Sequence, residues 1–346
     1  MTQLDSRPAP DAVTRRPERL RPLWIVAGLV VLAAVMVASV AFGSRFVGWP
    51  DIVAGVQGHD DNLNQAAVVK RIPRTFLAVL VGAALGLAGA VMQGVTRNPL
   101  ADPGILGVNM GASLAVAVGI VSFGLSSASA FIWVAIFGAA VAAIFVYAVG
   151  SLGRGGATPL KLALAGTAIS AALASLIRAF VLPRSDIASG VQSWEIGGVG
   201  GAGPESLRQV LPFLAVGLVI SLLSAKSLNS LALGDDLAAG LGERVALARG
   251  IAALGAVLLC GAATAVAGPI WFVGLIVPHA CRLLLGLDHR WLLPSSALLG
   301  AALLTASDVV GRVVARPQEI DVGIITALIG APFFISIVRR QKVREL

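Results

Sequence analysis

Between Gly250 and Cys281 the chain carries no Asp, Glu, Lys or Arg. As one helix that stretch would run about 48 Å at ~1.5 Å per residue, against a hydrocarbon layer of about 30 Å. It must fold back on itself inside a bilayer, and Gly268-Pro269 is the turn signal at its middle. The same ruler of about 20 apolar residues per crossing gives ten spans, near 22–43, 75–95, 106–124, 130–150, 162–182, 209–225, 247–267, 269–286, 293–311 and 321–338. None reads as a strand. The expected fold is therefore all-α, a polytopic bundle of ten transmembrane helices.

Composition points the same way. With 57% hydrophobic and 13% charged residues and a mean hydropathy of +0.89, the 346-residue chain is too apolar for a soluble globule. Its 40 glycines suit helices packed closely in lipid. The net charge of +8 is strung out between apolar runs rather than gathered on one face, which argues against nucleic acid as a partner. Cys260 and Cys281 match no metal or disulfide spacing and read as small buried hydrophobes.

Residues 1–21, rich in Pro and Arg, have no apolar period and are expected to form a disordered tail. The run at 22–43 is longer than a signal-peptide core and reads as a retained first helix. An even number of spans puts both ends on one side, and the basic tail together with Arg339, Arg340, Lys342 and Arg344 places that side in the cytoplasm. The membrane domain is thus 22–340, followed by a short cytoplasmic tail at 341–346. Under this orientation about two thirds of the 26 Lys and Arg lie inside. The loops at 96–105, 151–161, 226–246 and 287–292 face the cytoplasm, and those at 44–74, 183–208 and 312–320 face outward. The expected location is a bacterial cytoplasmic membrane.

No motor is encoded. A phosphate-cradling Walker loop needs Gly-Lys followed by Ser or Thr, yet none of Lys70, Lys161, Lys226 and Lys342 follows a glycine. Gly198, Gly200 and Gly203 satisfy GxGxxG, but no strand precedes them. His59, His279 and His289 are scattered without ligand spacing, and no nucleophile elbow occurs. The chain is expected to be no enzyme and to bind no cofactor or metal, and to draw its power from a partner. An ion-coupled secondary transporter is the competing class, and the scarcity of mid-membrane acids argues against it.

Two motifs frame the second span. Arg71-Ile72-Pro73-Arg74-Thr75 sets two arginines on one helix face, a patch suited to carboxylates or to lipid phosphate. Met92-Gln93-Gly94 and Arg97-Asn98-Pro99-Leu100-Ala101-Asp102-Pro103-Gly104 end that span in a structured turn. The region from Arg71 to Gly111 resembles the FecCD-type permease family of ATP-binding-cassette (ABC) importers for ferric siderophores, haem and cobalamin. Later segments resemble it in the same order: Leu231-Ala232-Leu233-Gly234-Asp235-Asp236, then residues 268–279, then Asp288-His289-Arg290, and Gly330-Ala331-Pro332.

The resemblance implies a permease moving a ferric siderophore by alternating access, with haem or cobalamin as alternative cargo. It implies a second permease subunit, homo- or heterodimeric, two ATPase subunits and an extracytoplasmic binding protein. The segment 231–249 would couple to the ATPase through Leu233, Gly234, Asp235, Asp236, Leu237, Leu241 and Gly242. Its leucines recur every fourth residue, as on one face of a short helix, with the acids near its positive end. Arg71, Arg74 and Arg312 would meet acidic knobs of the binding protein, with Arg316 a competing candidate and Asp308 an i, i+4 partner for Arg312. Trp194, Gly197 and Gly198 would lie on the pathway, and the inner gate near Thr158, Pro159 and Leu160.

Overall fold

A computed structural model describes residues 21–125, 127–152, 158–201 and 203–342. The sequence-based tail up to residue 20 and the last four residues lie outside the described residues. The helices run in the order α1 (Arg21–Ala41), α2 (Trp49–Val56), α3 (Leu63–Thr96), α4 (Val108–Phe123), α5 (Ala128–Gly150), α6 (Pro159–Val181), α7 (Ser185–Ile196), α8 (Pro204–Leu223), α9 (Ala225–Ala232), α10 (Asp235–Gly240), α11 (Val245–Ala267), α12 (Val273–Leu285), α13 (His289–Val314) and α14 (Val322–Lys342). Seven are long and apolar enough to cross a membrane, and three shorter apolar helices, α4, α12 and the start of α14, complete a set compatible with ten spans.

The turn expected at Gly268 is present. Gly268 adopts φ 69°, a left-handed conformation that costs a glycine little, and α12 starts only at Val273. Between them the chain is unwound, ending in Phe272 at φ 71°, an uncommon value for a bulky residue. The Phe272 ring lies directly on Gly330 of α14, where any methyl group would overlap it.

The second span departs most from expectation. Instead of starting near residue 75, α3 starts at Leu63 and runs 34 residues, about 51 Å. The Asn62 side chain caps it by accepting the Asn64 and Gln65 amides, and the polar first turns satisfy an N-terminus beyond the apolar window. The segments 44–74 and 183–208, expected to be outward-facing loops, likewise contain the short helices α2 and α7. A hydropathy window detects what must be dehydrated, so helices held by caps and local packing escape it.

Helix α3 is also the axis of the bundle, with 78% of its apolar window buried, against 6% for α1 and 17% for α6. It packs along α13 with almost no side chain between the backbones: a methyl at Gly82 or Gly86 would overlap the carbonyls of Gly300 and Ser296. Such close approach gives dispersion contacts where lipid supplies no hydrophobic drive. One end of the axis therefore reports directly on what surrounds α1, α2 and α13, and the other on α9, α10 and α11.

Candidate functional site

At one end of α3 stands the segment expected to meet an ATPase. Helix α10 is only six residues long, set off by Gly234 at φ 110° and Gly242 at φ 84°. It is shorter than the leucine spacing suggested, so Leu233 ends α9 and Leu241 follows α10. All three leucines nevertheless point outward, at 57% (Leu233), 62% (Leu237) and 68% (Leu241) exposure, while Ala238 is fully buried beneath them. Fully burying an exposed leucine is worth about 1.5–3 kcal/mol, and among the described residues these three remain largely uncovered.

The stub is held in place by charge. Asp235 accepts from Arg97 at 2.6 Å and from Arg249 at 3.0 and 3.3 Å. Arg97 is the left-handed residue that ends α3, and Arg249 is buried in the first turns of α11. Asp236, next in line, is exposed. Nearby, Asp288 caps α13 by accepting the Arg290 amide and takes a 2.7 Å bond from Asn229. Burial would raise the Asp288 carboxyl, but these donors and the Arg290 charge hold it below its ordinary value.

At the other end of α3 the expected arginine patch forms, with a different geometry. Arg71 points inward, donating to the carbonyls of Ala41 (2.9 Å), Val40 (3.2 Å) and Arg45 (2.7 Å). Arg312, 1% exposed, bridges Asp308 at 2.9 Å and donates to Ser39 O at 3.0 Å and Ser39 Oγ at 2.7 Å. Both complete the C-terminus of α1, whose last carbonyls have no partner in their own helix and whose dipole attracts cations. Arg74 is half-buried, forked on Asp308 and reaching Glu319 at 2.6 Å. Arg316 is exposed and donates to Gly43 O at 2.9 Å; Arg45 is exposed as well. Burial would raise the Glu319 carboxyl, yet the Arg74 guanidinium and the Ser44 hydroxyl hold it below the usual range.

The structure sets the residues expected on the pathway against α11 and α14. Gly198 N–H donates to Ala267 O at 2.8 Å, and Gly323 N–H to Gly197 O at 3.0 Å, so the end of α7 is stapled between α11 and the start of α14. Trp194 packs half-buried against the main core. Thr158 caps α6, accepting the Lys161 amide; Pro159 is the first residue of that helix and Leu160 is 69% exposed. Residues 153–157, just before this gate candidate, lie outside the described residues.

Sequence reasoning places Arg97 only in a turn motif and assigns no role to Arg249, Ser39 or Glu319. Arg249 carried a legible signal, a lone charge at the start of an apolar span. Its partner did not, because Asp235 lies across a turn whose path only the fold decides.

Comparison with known proteins agrees with this architecture. The FecCD transport family matches residues 31–340. The chain is 40% identical over 92% of its length to the probable siderophore transport system permease protein YfiZ of Bacillus subtilis, covering 96% of it. It is 43% identical over 91% of its length to the ferric enterobactin transport system permease protein FepD of Escherichia coli, covering 95% of it. Among solved structures, a metal-chelate type ABC transporter in an inward-facing conformation superposes with a TM-score of 0.81 at 29% identity, over 92% of this chain and 99% of that one. With apolar helices, ordered motifs and family match coinciding along nearly the whole chain, this protein belongs to the FecCD transport family.

Proposed function

We propose that the chain is the transmembrane permease subunit of an ABC importer that carries ferric siderophores across the cytoplasmic membrane by alternating access. Two ATPase subunits bind ATP and dock at the α10 end, which faces the cytoplasm together with both termini. A second permease subunit completes the pathway, and an extracytoplasmic binding protein delivers the chelate to the α2 end. The observation that carries this reading is the set of exposed leucines on and beside α10, an apolar docking surface clamped to the membrane core by salt bridges. Siderophore cargo is supported by the relatives named above, which transport siderophores.

In this reading Leu233, Leu237 and Leu241 enter a groove of the ATPase, with Gly234, Asp235, Asp236 and Gly242 shaping the stub. The barely covered helix α6, with Leu164, Leu176 and Phe180 exposed, faces the second subunit. Thr158, Pro159 and Leu160 then stand at the inner end of the pathway and Trp194, Gly197 and Gly198 along it. On the outer face, Arg71, Arg74 and Arg312 form the floor of the docking site, and the exposed Arg45 and Arg316 are the cations that meet acidic groups of the binding protein.

The decisive experiment is Leu237→Asp in the reconstituted importer. A carboxylate in an apolar groove is strongly disfavoured, so the ATPase should no longer copurify and chelate uptake should fall more than about tenfold, with membrane insertion retained. Uptake and copurification at wild-type levels would refute the docking role.

A further inference from the structure

Helix α10 has two holds on the rest of the protein. One is Ala238, packed against the core. The other is Asp235, which binds Arg97 and Arg249 at once. Around these holds the segment is jointed, since Gly234 and Gly242 lie at its two ends with positive φ and nothing meets a methyl group at Gly240 or Gly242. A short rigid element between two joints moves as a body, and its movement is passed on only where it is gripped.

The two arginines belong to different rods. Arg97 ends α3, and about 33 Å further along that helix, counting from Thr96, Arg74 grips Asp308 and Glu319. Arg249 belongs to α11, and about 27 Å along it the Ala267 carbonyl accepts the Gly198 amide, whose neighbour Gly197 accepts from Gly323 of α14. One carboxylate therefore joins the stub to a rod reaching the α2 end and to a rod reaching the pathway wall. Arg249 is 8% exposed, its Nη2 donates to both Asp235 oxygens, and its Nε has no partner among the described residues. A buried guanidinium gripping one carboxylate follows that carboxylate, because separating the two would strand a charge away from water.

We propose that Asp235, Arg97 and Arg249 form the positioning clamp that passes movement of α10 into α3 and α11, so that ATP-driven motion of the stub opens and closes the pathway wall. The proposal rests on the docking role of α10 and adds the route taken beyond it. The leucines seize the ATPase, and the clamp carries the displacement inward.

The test uses the importer reconstituted with its ATPase and binding protein in vesicles, reading chelate transported per ATP hydrolysed. Arg249→Gln removes one arm without leaving a buried charge. It should lower transport per ATP about tenfold while the ATPase still copurifies. Arg97→Gln, at a half-exposed position, gives a second measurement independent of core packing and should act in the same direction. Arg249→Lys keeps a cation opposite Asp235 and should retain more transport per ATP than Arg249→Gln, with the two variants melting alike. Undiminished transport per ATP in both single variants would overturn the clamp, as would a loss that appears only together with a lowered melting temperature. The docking role is judged separately by Leu237→Asp: if that variant fails and the clamp variants do not, the clamp alone is wrong, whereas an active Leu237→Asp importer removes both.

Discussion

The two ends of α3 invert the usual distribution of residue types. At the α10 end the large apolar side chains are outside, with Leu237 and Leu241 more than 60% exposed, and a half-exposed carboxylate ties the stub down. At the α2 end the charges are inside, with Arg312 and Asp308 each 1% exposed and Arg71 turned onto backbone carbonyls. The first arrangement leaves apolar surface unburied. The second completes the chain's own helices, because α1 ends against α3 and α13 with carbonyls that have no partner in their own helix. A motif of arginines and a motif of leucines can both mark an interface; here the leucines are exposed, while the arginines of the motif are held by the chain's own carbonyls and carboxylates. The cations that remain available at the α2 end are the exposed Arg45 and Arg316.

The largest test of this contrast is Asp308→Ala, which strands Arg312 in the interior and frees one prong of Arg74. Removing one partner of a buried pair costs about 3–5 kcal/mol, so the purified protein in detergent should melt well below wild type. Leu237→Asp, on an exposed face, should melt with wild type; equal losses in the two variants would break the comparison. Next in size is docking at the α2 end. Reversing Arg45 and Arg316 to Glu should weaken binding-protein affinity about tenfold at low salt, with the difference shrinking as salt is added. Arg71→Glu should instead lower the melting temperature, since its carbonyl partners would face an anion; a pure affinity loss there would return Arg71 to the docking surface.

The smallest effect is on pH dependence. Glu319 has its folded pKa held below the unfolded value of about 4.3. Its contribution to stability is therefore present above that value and is lost as pH falls through the folded pKa. The melting-temperature gap between wild type and Glu319→Gln should narrow between pH 6 and roughly pH 3. A gap that stays constant would detach Glu319 from the Arg74 cluster.

Much of the architecture was legible in the residues alone. The charge-free run from Gly250 to Cys281 demands a hairpin because lipid cannot solvate an over-long apolar helix, and the turn lies at Gly268. The leucine period of 233, 237 and 241 survives as an exposed face even though the helix beneath it is shorter. The start of α3 at Leu63 was not legible, because its first turns are polar and are held by the Asn62 cap.

Membrane burial of a segment is a sum over its own residues, each contributing its transfer free energy wherever the neighbours stand, so spans and their number follow from the order of amino acids. The partner of a charge is not such a sum. Whether Arg71 faces water or the end of α1, and whether Arg249 finds Asp235, depends on which carbonyls and carboxylates the other helices leave unsatisfied once packed. That accounting closes only in three dimensions.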